Sequence, residues 1–144
     1  MRRNFLMLYV DANVFLNAAL YDDEEAHLAK KFLLETAKGR HAACTSILTW
    51  DEVVWVIRKT IGHDKAVEEG ERFLQLPNVK LLPVEQMTIS SAQNLIGQYG
   101  LKPRDAIHAA TALMNGVSEI ISDDPDFDVL KGMKRVPIGL FSRQ

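Results

Sequence analysis

The sequence predicts an α/β fold, with a mostly parallel sheet and helices on both of its faces. Three observations predict it. Short apolar runs that read as strands alternate with helical patterns along the chain. The segments between them are only a few residues long, and glycine or proline punctuates most of them. No repeat or low-complexity stretch interrupts the alternation.

Each element has its own justification. Phe5 to Val10 is continuous and apolar, the pattern of a buried strand. A helix follows from near Asn13, with Asp11 or Asn13 as its cap. Asp22, Asp23 and Glu24 open a second helix, because acidic side chains favour the positive N-terminal end. Its core stripe is Ala26, Ala29, Phe32, Leu33 and Ala37, and Gly39 ends it. His41 to Thr45 is the second strand. The next helix lies within Ile47 to Ile61, with Ser46 or Thr49 as cap. Trp50, Val53, Val54, Trp55 and Ile57 make it apolar on nearly all sides, so deep packing is expected. Gly62 closes it. Asp64 to Leu76 is a further helix ended by Pro77, and Val79 to Leu82 is a short strand before Pro83. The stretch Glu85 to Tyr99 sets Thr88, Ala92, Leu95, Ile96 and Tyr99 on one side of a helix that Gly100 stops. Pro103 presets the first turn of a helix that runs to Asn115. Its alanines, Ala106, Ala109, Ala110 and Ala112, let it approach a sheet closely, and Gly116 ends it. Glu119 to Ser122 and Val136 to Leu140 complete the strands.

Composition narrows the function classes. The 144 residues suit one domain, 1–144, that is 47% hydrophobic and 25% charged, as soluble domains are. The net charge of −2 sets up no global field for nucleic acid, so a polyanion needs a local basic patch or bound metal. The single cysteine, Cys44, excludes an intrachain disulfide and points to the reducing cytoplasm. The apolar runs fall well short of the roughly 20 residues of a membrane helix. Met1-Arg2-Arg3 before an apolar run faintly resembles a signal peptide, but Asp11 and Asn13 interrupt it and no small-residue cleavage site follows.

Four acidic positions stand where this fold would deliver them to one place: Asp11, Glu52, Asp105 and one of Asp123 and Asp124. Asp11 and the Asp123/Asp124 pair follow strands, and open parallel sheets gather function beyond the carboxyl ends of their strands. Asp105 lies in a helix's first turn, where the dipole favours a negative charge by about 0.3–1 kcal/mol. That gain is smaller than the mutual repulsion of four carboxylates, so a cation must offset the rest. Oxygen-only ligands point to Mg²⁺ or Mn²⁺, and His27, His41, His63 and His108 form no pair at zinc spacing.

Each residue also has a purely structural reading. Asp11 is equally a helix cap. Glu52 has the lesser reading of an acid paired with Arg58 or Lys59, and Asp51 competes for its role. Asp105 is equally an N-terminal helix charge, and Asp124 a turn residue before Pro125. His108, one turn past Asp105, reads more readily as a packed or solvent-facing histidine than as a proton shuttle.

The ordered motifs resemble the PIN domain family of metal-dependent ribonucleases. They are Tyr9-Val10-Asp11-Ala12-Asn13, then Thr45-Ser46 with Glu52, then Pro103-Arg104-Asp105-Ala106-Ile107-His108-Ala109, and finally Ser122-Asp123-Asp124-Pro125-Asp126-Phe127. The match spans essentially the whole chain, whose size is similar to the toxins of VapBC-type toxin–antitoxin pairs. The resemblance implies a three-layer α/β/α sandwich. It also implies that Asp11, Glu52, Asp105 and Asp124 bind Mg²⁺ or Mn²⁺ and hydrolyse RNA. The family places its last acid two residues after a Ser or Thr, and Ser122 selects Asp124. Asn13 and Ser122 match polar supporting positions. Partners implied are RNA, an antitoxin and a second copy of the chain.

Asp11 and Asp105 are the first choice as direct ligands, with Glu52 and Asp124 completing the site directly or through waters. Lys102 and Arg104, or Lys131, Lys134 and Arg135, are candidates for backbone contacts and equally for solvated surface charges. Trp50, Trp55 and Phe73 exceed what a small core needs, although core packing is their default. A haloacid dehalogenase-type phosphatase would want a second aspartate two residues after the first, and Asn13 stands there. A housekeeping RNA-processing nuclease and a non-catalytic RNA-binding or assembly module are the remaining alternatives.

Overall fold

Five strands form one parallel sheet in the computed structural model, which describes residues 7–141. The order along the chain begins β1 (Met7–Val10), α1 (Ala12–Leu20), α2 (Glu24–Ala37), β2 (Ala42–Ser46), α3 (Thr49–Ile61) and α4 (His63–Leu74). It continues with β3 (Val79–Leu82), α5 (Gln86–Tyr99), α6 (Pro103–Met114) and β4 (Glu119–Ile121). A 3₁₀ helix (Pro125–Val129), β5 (Lys134–Val136) and α7 (Ile138–Phe141) follow. Phe5 and Leu6, expected to open the first strand, lie outside the described residues, as does the Met1-Arg2-Arg3 segment.

The strand order is β3-β2-β1-β4-β5. The chain winds outward through β2 and β3, then returns to the other side of β1 for β4 and β5. The order therefore reverses between β1 and β4, and the crevice beyond their carboxyl ends is the place where parallel sheets build sites.

Side-chain alternation along the strands divides the interior into two layers. Tyr9, Cys44 and Ile120 face one side and meet Ala92 of α5, Ala106, Ala109 and Ala110 of α6, and Phe127. Leu8, Val10, Ala43 and Ile121 face the other and meet Val14, Phe15, Phe32, Val53, Ile57 and Phe73 from α1 to α4. Sheet and two helical layers thus make the three-layer sandwich. Ala106, Ala109 and Ala110 are wholly buried, and their small side chains bring α6 close to the sheet. Phe15 and Phe73 meet edge to face, with ring centroids 5.1 Å apart. No helix among the described residues is long and apolar enough to cross a membrane.

Four details differ from expectation. The last strand is Lys134–Val136, not Val136 to Leu140, and α7 occupies the rest. Pro137 lacks the N–H a ladder needs, so it ends the strand. The segment after β4 coils into the 3₁₀ helix with Pro125 in its first turn. Neither Ser46 nor Thr49 caps α3. Leu48 precedes it without a side-chain cap, and Ser46 Oγ instead accepts the Leu48 N–H at 3.0 Å. Finally, α3 is not deeply packed on all sides: Trp50 is 41% exposed and Trp55 49%. α4 covers only part of it, and Lys59 lies 5.5 Å from the centre of the Trp55 ring.

Candidate functional site

Asp11 begins the site. It is the first residue past β1, its N–H donates to the Ile121 carbonyl of β4 at 3.0 Å, and its side chain is buried. Its Oδ1 accepts the Ala12 N–H at 2.7 Å, so Asp11 rather than Asn13 is the N-cap of α1. Its Oδ2 accepts the Ser122 hydroxyl at 2.6 Å. Each carboxylate oxygen has a second lone-pair direction, so both remain able to ligate. Asn13 is half-buried in the first turn of α1.

Ser122, wholly buried just past β4, is the hinge between Asp11 and the last acidic segment. Its Oγ accepts the Asp124 N–H at 3.0 Å while donating to Asp11. This turn sends Asp124 into the cleft. Asp124 Oδ1 accepts the Asp126 N–H at 2.9 Å and caps the 3₁₀ helix. Asp105 arrives from the first turn of α6. Asp105, Asp124 and Asp126 each present a carboxylate oxygen, all within 4.8 Å of one another. Asp123 points elsewhere: it is exposed, and its Oδ1 accepts the Ile138 N–H at 3.3 Å.

Glu52 comes from α3 in the opposite helical layer. It does not pair with Arg58 or Lys59. Its Oε1 lies 2.5 Å from Nε2 of His108, one turn beyond Asp105 on α6. The same Nε2 is 3.9 Å from Asp11 Oδ1. His108 is almost wholly buried, and its Nδ1 is 2.6 Å from the Tyr9 hydroxyl, which accepts the Ser46 N–H at 3.1 Å. Asp51 is exposed. Glu52, Asp105 and Asp124, with Lys102, Pro103 and Arg104, line a cleft of about 450 Å³.

The electrostatics follow from this crowding. Burial, then the charges of Asp124 and Asp11, push the Asp105 carboxyl up to about 6. Burial also raises Asp11, against the opposing pull of His108 and of the hydrogen bonds from Ser122 and Ala12. Burial disfavours an imidazolium at His108, but the hydrogen bond and charge of Glu52, then Asp11 and Asp105, outweigh it and raise the ring's pKa. Acidic groups that obstruct one another's ionisation, with only oxygen donors among the three converging ligand atoms, suit a hard divalent cation. The residues therefore fit such an ion.

All four sequence-selected acids reach this end of the sheet, but they are not equivalent. Asp105 and Asp124 form the tight group with Asp126, Asp11 lies beside His108, and Glu52 is held by the imidazole. Asp126 and Tyr9 were not singled out. The sequence signal for Asp126 is the Asp-Pro-Asp turn, which brings two acids to one side. Tyr9 has only its strand parity, which sets it two residues before Asp11 and facing α6. Among the basic candidates, Lys102 and Arg104 line the cleft, and Lys102 Nζ is 3.9 Å from Asp126. Arg135 is instead committed to Asp128, at 2.8 and 3.0 Å, and to the Ser122 carbonyl. Lys134 pairs in register with Glu119 at the amino ends of the strands, away from the cleft. Phe73 is core, as its default reading had it, whereas Trp50 and Trp55 are not.

Comparison with known proteins agrees with this geometry. The PIN domain family model matches residues 8–133. No curated protein matches in sequence. Among solved structures, Mycobacterium tuberculosis VapC20, a sarcin–ricin loop cleaving toxin, superposes with a TM-score of 0.71 at 18% identity, covering 84% of this chain and 92% of that one. DNA-bound VapBC from Salmonella typhimurium gives 0.70 at 18% identity, covering 93% and 99%. VapBC2 from Rickettsia felis, bound to a promoter DNA fragment, gives 0.69 at 12% identity, covering 92% and 98%. At these identities the solved structures establish the shared fold.

Proposed function

The chain belongs to the PIN domain family, and from that membership we propose that it is a Mg²⁺- or Mn²⁺-dependent endoribonuclease, the toxin of a VapBC-type pair. One observation carries the reading: Glu52, Asp105 and Asp124, from α3, α6 and the turn after β4, line a single cleft at the β1/β4 reversal, and Asp11, just past β1, is near enough for its charge to act on Asp105. A bound divalent ion would supply the charge that activates water and stabilises the leaving oxygen in phosphodiester hydrolysis.

The chain's own residues do the rest. Asp11, Asp105 and Asp124 would hold the ion, and Asp126, grouped with Asp105 and Asp124, would add a fourth carboxylate. Ser122 fixes the rotation of Asp11 through its 2.6 Å hydrogen bond, and Asn13 stands two residues further on, in the first turn of α1. Glu52 completes the acidic set. Lys102 and Arg104, exposed at the cleft edge, attract and orient the RNA backbone. A near-neutral chain of net charge −2 binds a polyanion only through such local charge and the ion itself.

The toxin reading includes a cytoplasmic location, a homodimer and an antitoxin that restrains the cleft. The VapBC complexes among the structural neighbours support the antitoxin. The retention of every acid weighs against a non-catalytic assembly module.

The test is sequencing of RNA ends after expression of the wild type and of Asp11→Asn. Asparagine still caps a helix, so the variant keeps its fold by circular dichroism. Cleavage sites present with the wild type and absent with the variant are expected. Undiminished metal-dependent cleavage by Asp11→Asn would refute the assignment.

A further inference from the structure

One group of buried polar side chains has no part in the acidic cluster. Tyr9 and His108 are 0% and 1% exposed, yet both carry polar atoms aimed at the carboxyl ends of the strands. The two outer hydrogen bonds of this group have a fixed direction. The Ser46 N–H can only donate, so the Tyr9 oxygen accepts it. An ionised Glu52 can only accept, so Nε2 of His108 carries the hydrogen between them. Nδ1 and the Tyr9 hydroxyl then share the remaining bond, at 2.6 Å. The rings meet edge to face, with centroids 5.6 Å apart, which fixes the imidazole plane.

This chain crosses the molecule. Ser46 ends β2, Tyr9 belongs to β1, His108 to α6 in one helical layer and Glu52 to α3 in the other. His108 thereby ties the two layers together over the end of the sheet. Its other acidic neighbour, Asp11 Oδ1, is 3.9 Å away, too far for a hydrogen bond, so the N–H belongs to Glu52.

We propose that His108, braced by Tyr9, is the positioning residue for Glu52: it holds Oε1 of that carboxylate and thereby sets the orientation in which Glu52 lines the cleft. The inference rests on the nuclease reading for its catalytic consequence, but not for its geometry. The hydrogen bond occupies one lone-pair direction of Oε1 and fixes the rotation of the carboxylate. A carboxylate held in one orientation is suited to accepting a hydrogen bond from water or from a substrate hydroxyl in the cleft. Lining the cleft with Asp105 and Asp124 while sitting apart from their group with Asp126 is what this restraint produces.

Two measurements test it. In protein labelled with ¹⁵N-histidine, NMR reads the His108 nitrogens without any need for activity. The expected result is a protected Nε2 proton in the wild type whose exchange accelerates in Glu52→Ala and in Tyr9→Phe. An unprotonated Nε2, or exchange indifferent to both substitutions, overturns the proposal. Turnover of single-stranded RNA with Mg²⁺ is the second measurement. His108→Leu should lower kcat by about 10–100-fold, the usual cost of losing a supporting hydrogen bond, with KM little changed. His108→Gln, which keeps an amide N–H for Glu52, should recover most of the loss. Adding His108→Leu to Glu52→Gln should cost nothing beyond Glu52→Gln alone. Losses that multiply would mean that His108 acts independently of Glu52 and would overturn the proposal. A wild type that cleaves no RNA but shows the protected, Glu52-dependent proton would sink the nuclease reading and uphold the placement of Glu52.

Discussion

Replacing Asp105 by asparagine should stabilise the metal-free protein and destabilise the metal-loaded one relative to the wild type. The carboxyl is raised from 3.8 to about 6, by burial first and by Asp124 and Asp11 next. At about 1.36 kcal/mol for each pH unit, that rise disfavours the charged form by about 3 kcal/mol. Asp105 is only half-buried, and water screening reduces the figure to about 1–2 kcal/mol. The sign follows from linkage: a group with a raised folded pKa contributes stability that is complete below its unfolded value and is lost as pH rises through the folded value. For Asp105 the window runs from about pH 4 to just above 6. Asparagine has no such loss. At pH 7.5 without metal, Asp105→Asn should therefore melt about 3–6 °C above the wild type, and at pH 4 the difference should close. Saturating Mg²⁺ reverses the order, because a ligand at a hundred times its Kd adds about 2.7 kcal/mol to the form that binds it. Differential scanning calorimetry at the two pH values, with and without Mg²⁺, reads all four states. A variant that melts at or below the metal-free wild type at pH 7.5 would show that burial and the neighbouring acids do not oppose the Asp105 charge as described, and an equal Mg²⁺ shift in both proteins would show that Asp105 does not ligate the ion.

Other outcomes follow from the same structure. Mn²⁺ affinity by titration calorimetry should weaken as pH falls below about 6, because Asp105 must release its proton to ligate. Ala110→Leu should cost about 1–3 kcal/mol in urea denaturation, since the wholly buried alanine leaves no room against the sheet. Asp23→Ala removes the 2.8 Å hydrogen bond to the Ala26 N–H that caps α2 and should cost about 1 kcal/mol, with Mn²⁺ affinity unchanged.

Much of the fold was legible because the chain marks its own boundaries. Gly100 and Gly116, both in the left-handed region at φ 71°, end α5 and the loop after α6 where the pattern places the stops. Pro103 opens α6 at its first residue. Val79–Leu82 is the strand its β-branched and apolar residues describe. Legibility failed where local pattern and tertiary context part. Val136, Ile138 and Leu140 alternate like a strand, but Pro137 interrupts the ladder and the edge position offers only β4 as partner. The tryptophans of α3 are apolar enough for a core, yet periodicity does not reveal how much of a helix its neighbours cover. In the site, the acids were visible through their place after strands and in first turns. Their division of labour was not, because it depends on His108 reaching Glu52 across 56 positions of sequence. Asp126 depended on a turn that only the Ser122 and Asp124 hydrogen bonds make evident.

The reversal of strand order between β1 and β4 has a bearing on synthesis. The carboxylates gathered at this end of the sheet begin at Asp11 and finish at Asp126, and β4 must dock beside β1 before Ser122 can reach Asp11. A nascent chain still lacking α6 and the final turn has one or two scattered acids and nowhere to gather an ion. On the proposed nuclease reading, the polypeptide would lack its site until most of it had emerged and closed around its first strand. For a molecule that would attack RNA, the late pairing of β1 with β4 acts as a timer set by topology alone.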